Sequence, residues 1–260
     1  MNFKKKHYPS NPFQVVLLFL FTIVLLSPLV LLSHQTVFLR FKYIDTLIGI
    51  LFFLLIIAFS YYINWKRGFK LTFKVKCTNK LSILLYSIII VSAFQFVVNP
   101  LINLGIHLMN HSQNQPINPL NNSIFDIISM ILLAPIIEEL VFRGIILKSF
   151  LLNYKPIKAI LFSSILFGLI HFSSEKILGV FVLGVFFGWI YFKTNSLLFA
   201  IILHISENIS GFISGFLKFN FNTSSLINWH NIYGNYTLYI YIFFLTSIYV
   251  CFKLLVKKLS

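Results

Sequence analysis

The sequence predicts an all-α fold: a polytopic membrane helix bundle of about eight transmembrane helices with both termini cytoplasmic. Three observations predict it. Of the 260 residues, 58% are apolar and only 10% charged, whereas a soluble domain averages about a quarter charged. The mean hydropathy is +0.88. The basic residues fall in short clusters between long apolar runs, which is the positive-inside pattern. Six acidic residues cannot solvate a water-facing surface of this size. Disorder, a secreted disulfide scaffold and an ordinary soluble enzyme are excluded.

A spanning helix needs about 20 mostly apolar residues. Candidate spans lie at 13–33, 44–63, 81–106, 124–148, 157–173, 177–192, 196–217 and 236–256. The first follows Lys4, Lys5 and Lys6, as a signal peptide would. Its apolar run is longer than a signal core and no small-residue cleavage site follows, so an uncleaved anchor is expected. With the N-terminus inside, 16 of the 21 basic residues fall on the inner side and 4 on the outer (Arg40, Lys42, Lys176, Lys218). Arg143 lies within a span. That bias supports the eight-span count and the inner placement of both ends.

The net charge of +15 is not a nucleic-acid signature, because no single basic patch with interleaved aromatics exists. Cys77 and Cys251 sit in or beside basic clusters and are expected to be reduced, with no disulfide role. The longest polar loops are 64–80, basic and inside, and 107–123, outside and rich in Asn, Gln and His. No internal repeat or inverted symmetry is visible. A single transmembrane domain, 1–260, is expected. Within it 1–123 holds N-terminal spans without a motif, 124–217 the polar core, and 218–260 an outside loop and the last span.

The fourth span carries charges that need a reason. It reads Ala134-Pro-Ile-Ile-Glu138-Glu139-Leu-Val-Phe-Arg143-Gly144, and each ionisable group at mid-membrane costs about 2.5–3.5 kcal/mol on insertion scales. A structural ion cluster is the plainer account of such groups, and the spacing divides the labour. Glu139 and Arg143 are four apart and share a helix face as an i,i+4 pair. Glu138 lies about 100° around the helix and cannot use the same arginine. It is the carboxylate left for chemistry, in surroundings suited to a general base.

Two later spans carry one central histidine each, in Phe167-Gly-Leu-Ile-His171 and His204-Ile-Ser-Glu207-Asn208. Phe167 and His171 share a face, as do His204 and Asn208. A lone membrane histidine is often only an interhelical hydrogen-bond partner. Two of them with an Asn and a Glu-Glu pair are harder to dismiss. At about 1.5 Å per residue, Glu138 lies roughly 15 Å from its inner span end, His204 roughly 12 Å and His171 roughly 21 Å. The three are expected to share a layer near mid-membrane. Gly184 and Gly188, the serines at 206, 210 and 214, and Gly211 and Gly215 are read as close helix packing.

These residues resemble the three motifs of the CPBP (CAAX protease and bacteriocin-processing) intramembrane endopeptidases, the family that takes in CAAX prenyl endopeptidases and bacterial relatives linked to bacteriocin self-immunity. The motifs are Glu138-Glu139-x-x-x-Arg143, Phe167-x-x-x-His171 and His204-x-x-x-Asn208. They span 124–217, less than half of the chain. The resemblance implies a hydrolase acting on a membrane-embedded or lipidated peptide. Glu138 would activate water with help from His171, while His204 and Asn208 would stabilise the oxyanion. Glu139, Arg143 and Phe167 would support the cluster. The implied location is multi-pass in a cell membrane, a bacterial plasma membrane, with the bilayer and a peptide as partners and no nucleic acid. Members are often called metalloproteases, and Glu138, His171 and His204 are the set that would hold a divalent metal such as zinc. The glutamate/histidine mechanism needs none, and no H-E-x-x-H occurs. Glu207 is a further buried acid outside the motifs.

Other sites fit less well. Asp45 and Asp126 both lie near outer span ends, so an aspartyl pair at mid-membrane is not expected. Gly211-Phe-Ile-Ser214-Gly215 has the wrong spacing for a serine site. His107 and His111 are four apart but sit by the outside loop. Asn222-Thr-Ser224 matters only in a eukaryotic secretory pathway. Two rival functions stand beside the protease: a non-proteolytic scaffold or bacteriocin self-immunity protein keeping the same cluster, and a proton- or ion-coupled transporter using Glu138, Glu139 and Glu207.

Overall fold

The computed structural model describes residues 7–33, 44–73, 81–98, 122–171, 174–220 and 234–259, which are almost entirely helical. Lys4 to Lys6, Cys77, His107, His111 and Asn222 lie outside the described residues. The helices are α1 (Pro12–Ser33), α2 (Ile44–Lys66), α3 (Leu81–Ala93, extended by a wide turn, Phe94–Val98), α4 (124–151), α5 (Pro156–Leu169), α6 (Ser174–Thr194), α7 (Leu197–Asn220) and α8 (Thr237–Leu259). The chain is an all-helical, multi-pass membrane protein. Five segments are long and apolar enough to cross a bilayer: Pro12–Ser33, Ile44–Lys66, Ile177–Thr194, Leu197–Leu217 and Gly234–Leu259. Leu81–Val97 and Pro156–Leu169 are apolar but shorter. Among the described residues, length and composition thus single out five of the eight expected spans.

The outer helices are apolar on every side because one side meets lipid. Leu20, Val24 and Leu31 of α1, and Leu238, Tyr239 and Phe243 of α8, are all exposed, as expected of helices solvated by acyl chains. Several buried hydroxyls return their protons to their own helix, Thr22 to the Leu18 carbonyl, Ser87 to Ile83 and Ser164 to Ile160. That is how such groups are satisfied where water is absent.

Two apolar cores lie side by side. One joins Val15, Ile56, Phe142, Ile146, Phe150 and Phe167, from α1, α2, α4 and α5. The other joins Ile83, Val91, Phe187, Leu203 and Leu255, from α3, α6, α7 and α8. Helix α4 touches α2, α5, α6 and α7 and lies between the cores.

Of the glycines expected to serve close packing, Gly184 and Gly188 do so, whereas a Cβ on Gly211 would meet Gln95 only at an ordinary 3.7 Å. A Cβ on Gly184 would meet Phe167 Cδ1 at 3.1 Å and Ser164 Cβ at 3.3 Å, and one on Gly188 would meet Ile160 Cγ2 at 3.2 Å. The α5–α6 hairpin is packed through these contacts. On α7, Ser210 donates to Ser92 of α3 at 3.1 Å, and Ser214 is buried. The tight joint between α6 and α7 turns on Asn195, whose φ of 52° is left-handed, a conformation Asn tolerates at a helix end.

Helix α4 is not regular. It passes through wide turns at Ser129–Leu133 and Leu140–Leu147. In the first, the Ala134 N–H bonds to the Ser129 carbonyl, five residues back. Pro135 follows immediately. It has no N–H and cannot make the regular bond to residue 131, which is a known cause of local helix distortion.

Candidate active site

The site is built on the second half of α4. Glu139 and Arg143, four apart on one face, form a fully buried pair, with Nη1 of Arg143 2.8 Å from Oε1 of Glu139. The same carboxylate oxygen accepts from Nδ1 of His204 on α7 at 2.9 Å. Nη2 of Arg143 donates to the Gly184 carbonyl of α6 at 3.1 Å. Three helices are thus joined through one carboxylate and one guanidinium. The absence of a Cβ at Gly184 helps bring its carbonyl within reach.

Phe167 of α5 fills the centre of this cluster. The Arg143 guanidinium stands over its ring at 4.5 Å, and its ring lies 5.7 Å from that of His204 and 5.1 Å from that of His171. Phe187 stacks on the opposite side, 5.6 Å from both the His204 ring and the Arg143 guanidinium. A buried cation between two aromatic faces gains electrostatically as well as by packing.

Glu138 lies apart from the cluster's hydrogen bonds. It is within electrostatic reach of His204, Glu139, Arg143 and Glu207. Its Oε2 is buried and has no hydrogen-bond partner among the described residues. It lines a cavity of about 500 Å³ together with Thr46, Gly49 and Phe53 of α2 and Asp126, Ser129 and Met130 of α4. The cavity runs from the start of α2 and α4 down to Glu138.

The opposite end of α4 is covered. Lys148 donates to the carbonyl and hydroxyl of Thr72, and the Phe73 ring occupies the space a Cβ on Gly144 would need. Nearby, His7 stacks on Phe69 at 4.1 Å, and Ser149 donates to the His7 carbonyl. Burial and the Lys148 ammonium both lower the His7 imidazole below its usual value.

His171 is not in mid-helix as the sequence suggested. Helix α5 ends at Leu169 and His171 stands in the following turn, its N–H bonded to the Gly168 carbonyl. With 14 residues, α5 extends only about 21 Å, less than the roughly 30 Å of a bilayer core. Its end therefore falls short of a full crossing. The Nδ1 atom lies 2.9 Å from the Phe167 carbonyl, so the ring folds back along α5. The contact of Arg143 with Phe167 sets the register of α4 on α5. His171 is not among the residues that line the cavity.

Asn208 is held by a bond that sequence reasoning missed. Its Nδ2 donates to the Met130 carbonyl at 2.6 Å. That carbonyl is left over by the wide turn, because Ala134 bonds to Ser129 instead and the next residue is Pro135. The proline was the available signal: a helix interior that lacks one N–H must orphan a carbonyl. The structure brings Glu138, Glu139, Arg143, Phe167 and His204 together, with Asn208 one turn beyond His204.

The sequence offered Glu138, His171 and His204 as a metal set. Among the described residues, no three His, Cys, Asp or Glu side chains are arranged to hold an ion. One imidazole nitrogen of each histidine is engaged, with Phe167 and Glu139 respectively, as it is in histidines that ligate a metal through the other nitrogen. On their spacing these residues do not form a zinc centre.

No curated protein and no solved structure matches the chain. The stretch that holds Glu138, Glu139, Arg143, Phe167, His171, His204 and Asn208 does match a family model: over residues 120–210 the chain is similar to the type II CAAX prenyl endopeptidase Rce1-like family, the one its three motifs resemble.

Proposed function

We propose that the protein is an intramembrane endopeptidase that hydrolyses a peptide bond in a membrane-associated or lipidated peptide. One observation carries the reading: a carboxylate with an unpartnered oxygen, Glu138, lies at the deep end of a cavity beside a buried Glu139–Arg143–His204 cluster. Water in that cavity would lose its proton to Glu138 as its oxygen attacks the scissile carbonyl. Glu138 then returns the proton to the leaving amine.

The negative charge that develops on the carbonyl oxygen needs preorganised donors. His204 is suited to supply one. Its Nδ1 is committed to Glu139, which fixes the ring and leaves Nε2 for the substrate. A carboxylate at Nδ1 also complements a doubly protonated ring, the form able to donate from Nε2. Asn208 has a second amide hydrogen beyond the one given to Met130. His171 would assist Glu138 in activating the water, as the resemblance of its motif implies. Glu139, Arg143 and Phe167 hold these groups in place and touch no substrate.

The experiment compares membrane peptides, by terminal proteomics, in cells expressing the wild type or Glu138→Gln. Peptides that accumulate uncleaved with the variant, at equal amounts of inserted protein, support the enzyme. Identical peptide termini in both cells would remove the protease and favour the scaffold or immunity role.

A further inference from the structure

We propose that Asp126 and Ser129 form a subsite for a cationic side chain, lysine or arginine, placed about five residues from the bond that is cut. The inference rests on the protease reading above and adds what the substrate must carry.

The cavity that ends at Glu138 begins at Asp126. Both are on α4, twelve positions apart, which is about 18 Å at 1.5 Å per residue. An extended peptide covers about 3.3–3.6 Å per residue. A chain with its scissile carbonyl at Glu138 therefore presents its fifth residue, counted towards the mouth, to Asp126.

The chemistry of the wall fits a cation. Two of the chain's six acidic residues line this one cavity, and none of its lining residues is basic. The chain as a whole, by contrast, carries a net charge of +15. The Asp126 carboxylate is held in position, accepting from the Thr46 hydroxyl at 2.6 Å and the Ser123 hydroxyl at 2.7 Å. Each bond leaves its oxygen with a further lone pair, so the charge is oriented without being neutralised.

Ser129 supplies an independent observation. It is 1% exposed, it lines the cavity, and its Oγ has no hydrogen-bond partner among the described residues. Buried hydroxyls such as those of Thr22, Ser87 and Ser164 bond to their own helix, and those of Ser60 and Ser214, unpartnered like that of Ser129, do not line the cavity. A buried hydroxyl facing a cavity and left unpaired is a place where a ligand's polar group is recovered. It stands one turn below Asp126, in reach of the main chain of the same bound peptide.

The test uses the full-length protein in lipid nanodiscs and quenched fluorescent 14-residue peptides, neutral except for one lysine moved stepwise along the sequence. Cleavage by the wild type is expected to peak, about tenfold above the lysine-free peptide, when lysine lies about five residues from the cut. Asp126→Asn keeps partners for both Thr46 and Ser123 but loses the charge. It is expected to flatten the profile through KM rather than kcat, and Asp126→Lys should prefer glutamate at that position.

A flat wild-type profile, a profile that survives in Asp126→Asn, or an equal loss on every peptide would each overturn the proposal. The last is what a purely structural Asp126 would give. Binding of the same peptides to Glu138→Gln, read by anisotropy, separates this outcome from failure of the protease reading. Position-dependent binding without wild-type cleavage keeps the subsite and removes the protease. Cleavage without position dependence does the reverse. Neither binding nor cleavage overturns both.

Discussion

The side-chain amide of Asn208 donates to the main-chain carbonyl of Met130 at 2.6 Å. That bond completes a helix interrupted by Pro135, and it ties α7 to the wall of the cavity. Asn208 therefore has a structural task whatever it does in catalysis, and the two are separable.

Asn208→Ala should destabilise the bundle by about 0.5–1.5 kcal/mol, the net contribution of one intramolecular hydrogen bond. Pro135→Ala restores an N–H to α4, so the double variant should recover most of that loss in thermal unfolding. If Asn208 also serves the oxyanion, the double variant is stable and still impaired in kcat. Recovery of both would leave Asn208 as a helix partner only.

Arg143→Met removes the cation from a carboxylate that stays fully buried. A broken buried pair costs about 3–5 kcal/mol, so little folded protein should survive detergent extraction. Glu138→Gln should do the opposite. Its Oε2 makes no hydrogen bond that can be lost, and the variant should melt at or above the wild-type temperature while peptide cleavage vanishes.

Two glycines should behave differently. Gly184→Ala puts a methyl 3.1 Å from Phe167 and 3.3 Å from Ser164, and should cost about 1–3 kcal/mol as an overpacked contact. A Cβ on Gly49 meets nothing within 4 Å. Gly49→Ala should keep or raise the melting temperature, and Gly49→Phe should fill the cavity and stop cleavage in a folded protein.

Acid should loosen the segment that carries His7, which lies before the first helix. Its imidazole is lowered in the folded state by burial and by Lys148. Below the ordinary value of about 6.5 the unfolded segment binds the proton more readily, so stability is present above that pH and is lost as pH falls towards the folded value. Protection factors at 7–10, corrected for the intrinsic pH dependence of amide exchange, should fall between pH 7.5 and 5.5, and His7→Phe should abolish the change.

Charge scarcity, long apolar runs and i,i+4 spacing are local properties, and each was readable without coordinates. They were sufficient for the all-helical membrane class and for the Glu139–Arg143 pair, because residues four apart on a helix must meet. Helix starts at 12, 44, 81, 124 and 197 fall within a residue of the expected spans for the same reason.

The contacts between helices had to come from the fold. Nothing in His204's neighbours says that its Nδ1 will reach Glu139, since that depends on how α7 packs on α4. The early end of α5 and the covering of one face by Phe73 are likewise matters of packing, as is the cavity between α2 and α4. Sequence determines which groups are costly to bury. Tertiary structure decides which of them compensate one another, and leaves Glu138 with an oxygen that none of the described groups compensates.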